Sequence, residues 1–185
     1  MIMIMSRDTF ISVSLLLALA AVASSEKGAL AQSGAAGGSP QPPAGSVLLR
    51  SAHAVGYQVY GCGANGDWSA AEPVAALFTD KGETVRHYRD TNPVAPTWEA
   101  ADGSKVHAAL ENGKPDQSVP SSTPDSIPQL GLKAAPGDGR GIFGYVTYVI
   151  RANTSGGTHP AGSCSLPPGK RMSMQYRADY YFYKK

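Results

Sequence analysis

The sequence predicts an all-β protein, a single-domain antiparallel β-sandwich or barrel of about nine strands with one disulfide. Three observations carry this. Polar and apolar side chains alternate from Arg171 to Tyr183, placing Met172, Met174, Tyr176, Ala178, Tyr180 and Phe182 on one face. That is a strand's period of two, with one buried side. Turn-forming clusters of Gly, Pro, Asp and Asn cut the chain at short intervals. Beyond the N-terminal region only Ala70–Phe78 is ambiguous between helix and strand, and Pro73 limits a helix there to its first turn.

In chain order, residues 1–31 have the three parts of a secretory signal. Arg7 is the early basic residue, Phe10–Ala23 is an apolar and small-residue run, and two Ala-x-Ala sites follow, Ala21-Val22-Ala23 and Ala29-Leu30-Ala31. Cleavage after Ala31 is favoured, because Glu26-Lys27-Gly28 gives a polar approach and Gln32 opens a flexible segment. The run is shorter than the ~20 residues that span a bilayer as a helix. The sequence thus predicts a secreted or periplasmic protein with no membrane span after signal cleavage. Residues 32–46 are Gly, Ser, Pro and Ala-rich and read as a tether. Residues 47–185 suit one β-rich domain, expected to be a monomer.

Within that domain, Val47–Ala54 and Tyr57–Cys62 read as the first two strands. Asp80-Lys81-Gly82 then turns Val74–Thr79 into Glu83–Arg89, and Asp102-Gly103 turns Thr97–Ala101 into Ser104–Leu110. Asp-Gly between strands is a strong hairpin signal. Glu111–Pro128, with Pro115, Pro120, Pro124 and Pro128, is a long break that reads as a functional loop or as disorder. Pro136-Gly137-Asp138-Gly139 separates Gln129–Ala135 from Gly141–Arg151, a strand with apolar residues on both faces, and Pro167-Pro168-Gly169 introduces the last strand.

The net charge is +2, unchanged by cleavage since Arg7 and Lys27 offset Asp8 and Glu26. Basic residues are scattered among acids, which argues against a nucleic-acid partner. Two cysteines, Cys62 and Cys164, in an exported chain predict one disulfide.

Several motifs invite a catalytic reading and fail on context. Gly61–Gly66 and Gly139–Gly144 both fit G-x-G-x-x-G, yet neither opens a helix in a βαβ unit, so both are turns and no nucleotide cofactor is expected. The four histidines, His53, His87, His107 and His159, never fall at H-x-H or H-x-x-x-H spacing, so no metal is assigned. A G-x-S-x-G elbow is missing, and Ser104 is a turn residue. Glu99 and Asp102 are the carboxylate pair nearest to glycosidase spacing, but positions three apart on a strand face opposite ways. Asn153-Thr154-Ser155 is a glycosylation sequon in a host that modifies exported proteins. Aromatics are the best binding signal: nine tyrosines against four phenylalanines, plus Trp68 and Trp98. Tyr181 and Tyr183, on the polar face of the last strand, read as cross-strand packing before they read as a sugar platform.

The ordered set Tyr57-Gln58-Val59-Tyr60, Cys62, Trp68, Pro73, Leu77-Phe78, His87-Tyr88, Thr97-Trp98-Glu99, Asp102-Gly103-Ser104, Ile127-Pro128, Leu132-Lys133, Arg151, Thr154, Gly156-Gly157, Cys164 and Ala178–Tyr183 resembles the secreted family called domain of unknown function 3455, found in bacteria and fungi. The resemblance spans nearly the whole domain. It departs from the family's usual pattern near Gln129, where a Trp is common, and in a longer Pro-rich loop. It implies an exported domain with paired cysteines and brings no established activity.

The function expected from these readings is ligand or glycan binding at the cell surface. The candidate residues are His87, Trp98, Glu99, Asp102, Arg151, Asn153 and Thr154, polar and aromatic groups near strand ends. An exported hydrolase or metal-dependent enzyme centred on His87 and Glu99 is one alternative, and a structural envelope protein is another. No catalytic residue is assigned.

Overall fold

The computed structural model describes residues Gly38–Lys185. Residues 1–31, read as a signal, and residues 32–37 of the expected linker lie outside the described residues.

Nine strands make one antiparallel sheet: β1 (Val47–Gly61), β2 (Glu72–Thr79), β3 (Thr84–Thr91), β4 (Val94–Ala100), β5 (Lys105–His107), β6 (Gln117–Val119), β7 (Gln129–Lys133), β8 (Tyr148–Gly156) and β9 (Arg171–Lys184). Their spatial order is β5-β4-β3-β2-β1-β9-β8-β7-β6. The sheet curls into a half-barrel, so of the two architectures expected the barrel-like one forms and the sandwich does not. Its margins meet just beyond β5 and β7. Ala108 bridges Ala134, Ala109 N–H donates to Lys133 O (2.8 Å), and Ala135 N–H donates to His107 O (2.9 Å). Such closure removes part of an exposed edge that would otherwise template aggregation.

The concave face holds the core. β9 supplies Tyr176, Ala178, Tyr180 and Phe182, all nearly or fully buried, as its alternation predicts. Across β1 stand Ala52 and Ala54, and β2, β3 and β4 add Leu77, Val85 and Trp98. Small residues on β1 leave room on this face for the large ones paired with them on β9, Tyr180 opposite Ala52 and Tyr176 opposite Gly56. Burying each large side chain contributes roughly 1.5–3 kcal/mol before entropy is charged.

Three local departures from the sequence reading have physical causes. First, Val47–Ala54 and Tyr57–Cys62 are one strand of 15 residues. Gly56 is not a turn but a point of close approach, where a Cβ would lie 2.4 Å from Ala75 Cβ and Val74 O on β2. Second, Gly141–Val146 is not strand. It forms a tight loop in which a Cβ on Gly144 would meet the Arg140 backbone at 2.2 Å, and β8 begins only at Tyr148. This loop drives Phe143, fully buried, under one end of the half-barrel against Phe182, with ring centroids 4.7 Å apart. Third, the Glu111–Pro128 break contains β6, which pairs with β7. The ambiguous Ala70–Phe78 stretch resolves as β2.

The disulfide joins Cys62, just past β1, to Cys164 in the β8–β9 connection, with Cα atoms 5.8 Å apart and a sequence separation of 102. The expectation that β8 is covered on both faces holds at Tyr148, Val149 and Ile150, all nearly or fully buried. Outside the barrel Tyr148, Ile150 and Ala152 form a second small cluster, with Tyr181 and Tyr183 packed on it.

Candidate functional site

Phe143 plugs one end of the half-barrel, while the other end opens into a cavity of about 240 Å³. Strand alternation decides which side chains reach it. On β3, Val85, His87 and Arg89 face inward, pairing across to Ala100, Trp98 and Pro96 of β4. On β8, Val149 and then Arg151 face inward, and Arg151 pairs with Leu130 of β7 and Tyr180 of β9. Gln58 follows Ala52 and Ala54 down the same face of β1. The cavity thus has an aromatic floor of His87, Trp98 and Tyr180, walls of Pro73, Pro96, Leu130 and Leu132, and polar groups from Gln58, Arg89 and Arg151.

The floor is rigid. The His87 and Trp98 rings stack with centroids 4.5 Å apart and an interplanar angle of 3°, and Tyr180 meets both edge-on at 5.4 and 5.7 Å. His87 Nδ1–H donates to Thr97 O (2.8 Å), which fixes the neutral tautomer and leaves Nε2 as the acceptor. Burial pushes the His87 imidazolium pKa down to about 3; the Thr97 carbonyl opposes that fall and the nearby Arg151 charge adds to it. Burial likewise raises the Tyr180 hydroxyl, partly offset by Arg151. Both groups are neutral at physiological pH.

The hydrogen-bond account of the cavity lining is incomplete. Gln58 and Trp98 are 2% and 0% exposed, yet Trp98 Nε1 has no partner among the described residues, and Gln58 Nε2 has only the Tyr176 hydroxyl nearby, outside good hydrogen-bond geometry. A buried donor left unmade costs about 1–3 kcal/mol, and the great majority in native proteins are paired. Charge is also one-sided, since the lining includes Arg89 and Arg151 but no Asp or Glu. Arg151 Nε and Nη2 both donate to Pro128 O (3.1 and 2.8 Å), which positions the guanidinium beside the floor.

Of the seven candidates, the structure brings His87, Trp98 and Arg151 together in this cavity. The other four lie elsewhere. Glu99 is on the opposite face of β4 from Trp98, accepting from Tyr88 Oη (2.7 Å) and pairing with Arg86 Nη2 (2.9 Å). Asp102 fastens the plug: its carboxylate accepts from Ser104 N–H and from Ile142 N–H, both at 2.9 Å. Asn153, in a left-handed conformation at the β8 irregularity (φ 49°), donates from Nδ2 to Asp179 Oδ2 (2.7 Å). Thr154 is buried and donates to Ile127 O (2.6 Å). His87 and Glu99 therefore do not meet, and the described residues contain no group of three His, Cys, Asp or Glu side chains placed to hold a metal ion.

Gln58, Arg89 and Tyr180 are the cavity residues that sequence reasoning missed. A signal was present: Gln58 and Arg151 are polar residues at inward positions of otherwise apolar strand faces.

Trp68 belongs to the neighbouring rim rather than to the cavity. Its Nε1–H donates to Gly162 O (3.0 Å), and its ring stacks on His159 at 5.2 Å, close to the disulfide.

The molecule is thus defined as a curled, disulfide-stapled antiparallel β-domain with a cationic, aromatic-floored mouth. A family model described as protein of unknown function (DUF3455) matches residues 43–184, and the chain belongs to that family. Neither the curated proteins nor the solved structures give a match.

Proposed function

We propose that this is an exported, secreted or periplasmic domain that binds a small molecule in the open mouth of its half-barrel. The observation that carries the reading is the pair of buried donors, Gln58 Nε2 and Trp98 Nε1, unpartnered on residues that line a cavity of about 240 Å³. Both atoms are themselves sealed from the cavity, so a bound molecule that draws them out by a side-chain shift would recover what their burial costs. Export is supported by the signal pattern and by a disulfide, which persists in oxidising compartments. Among the described residues no helix is long and apolar enough to cross a membrane.

A thermal-shift panel of metals, sugars and small metabolites tests binding. A ligand held at a hundred times its Kd stabilises the fold by about 2.7 kcal/mol. A flat response across the panel would count against the reading. Loss of any response in a Trp98→Phe variant, which keeps the aromatic floor and deletes the indole donor, would support it.

A second reading, a structural envelope protein, draws on the convex face. There Val55, Tyr57, Val74 and Phe78 stand exposed on paired strands β1 and β2. It predicts retention on envelope fractions with no thermal shift from any small ligand.

A further inference from the structure

Resting on that binding reading, we infer that the cavity takes a small carboxylate with an apolar body, its anionic head between Arg89 and Arg151 and its body against the prolines and leucines of the wall. The polar lining is weighted towards donors. The two guanidinium groups only donate, the Gln58 amide and the Tyr180 hydroxyl both donate and accept, and the fixed tautomer of His87 leaves one ring acceptor. A carboxylate brings only acceptors, and arginine binds it through paired, charge-assisted bonds. A neutral sugar brings hydroxyls that must also donate, and the lining has no carboxylate to receive them.

Charge favours the same ligand. Arg89 forms no ion pair with any carboxylate among the described residues, and the Arg151 charge lies near enough to oppose the burial-driven rise of the Tyr60, Tyr176 and Tyr180 hydroxyls and to add to the fall at His87. Two like charges sharing one half-enclosed mouth repel each other, and an anion between them reverses the sign of that interaction. Size agrees as well. A cavity of ~150 Å³ accepts benzene, so about 240 Å³ takes one ring or a short alkyl chain plus a head group.

The test is calorimetric titration of the purified protein with benzoate and hexanoate. Their neutral counterparts, benzamide and hexanol, serve as body-only probes, and inorganic phosphate as a head-only probe. The carboxylates bind roughly tenfold or more tightly than the neutral probes, as a charge-assisted pair implies. Arg89→Gln, whose side chain anchors nothing else among the described residues, removes that preference. Arg177→Gln, on the convex face, deletes the same charge and leaves the preference intact. Arg151→Gln acts like Arg89→Gln, provided its circular dichroism matches wild type. If benzamide binds as well as benzoate, or the preference survives Arg89→Gln, the carboxylate assignment is overturned while small-molecule binding stands. If phosphate alone matches benzoate, the apolar body is wrong. If neither charged nor neutral probes bind, the cavity reading falls with it.

Discussion

Acidification from pH 7 to pH 5 should remove about 2 kcal/mol of stability through His87 alone. In the unfolded chain this imidazole titrates near 6.5, while the folded protein holds it down to about 3. Between those values the unfolded state binds a proton that the folded state refuses. Stability therefore rises with pH through this window, and is lost progressively as pH falls from 6.5 towards 3. At pH 5 the unfolded imidazole is almost fully charged and the folded one almost fully neutral, so 1.5 pH units at about 1.4 kcal/mol each give the stated figure. The Tyr180 hydroxyl that meets the His87 ring, raised by its own burial, stays neutral through this window. The carboxylates held below their ordinary pKa, Glu83, Asp90, Glu99, Asp102, Asp116 and Asp138, act only at lower pH. The assay is urea unfolding of wild type and His87→Phe at both pH values, with m compared to confirm the same transition. Phenylalanine keeps the stack on Trp98 and forfeits the bond to Thr97 O at either pH, so that loss cancels in the difference. Wild type should lose about 2 kcal/mol more than the variant on going to pH 5. Equal losses would refute the buried, neutral histidine on which the cavity floor is built.

Other expectations follow from the same structure. Replacing both Cys62 and Cys164 by serine should cost about 2–5 kcal/mol in chemical denaturation, since the bridge closes a long loop. Intact mass of the native protein should lie two hydrogens below the reduced value. Phe143→Ala should cost about 3–5 kcal/mol by emptying the plug. Asp102→Ala should cost about 1–2 kcal/mol by releasing the bonds that hold it. N-terminal sequencing of the protein recovered from an expressing host should begin at Gln32, and a first residue of Met would contradict the signal assignment.

Much of this fold was legible because strand alternation is a local property. The β9 pattern alone names four core residues, and Asp-Gly locates the β4–β5 hairpin. What stayed hidden depends on contacts distant in sequence. Gly56 resembles a breaker until Ala75 is seen pressed against it. Gly141–Val146 carries apolar residues at strand-like spacing, yet its glycines and the Asp102 and Ser104 bonds fold it into a plug.

The site divides in the same way. His87, Trp98 and Arg151 converge because register pairs β3 with β4 and β8 with β9. Glu99 differs from Trp98 by one position and therefore faces the opposite side. The Asp102 and Thr154 oxygens look functional as isolated polar groups, and both are engaged in holding loops. Gln58 shows the more general lesson, that a polar residue on an inward face is a better pointer to a cavity than one near a turn.

The most direct test follows the side-chain N–H signals of the two tryptophans and Gln58 in nitrogen-edited NMR spectra while benzoate is added. Trp98 Nε1–H and the Gln58 amide, which have no protein partner among the described residues, should shift together in a saturable way. Trp68 Nε1–H, already bonded to Gly162 O, should stay in place. A saturable shift at Trp68 with Trp98 and Gln58 silent would put the site elsewhere and contradict binding in the half-barrel mouth.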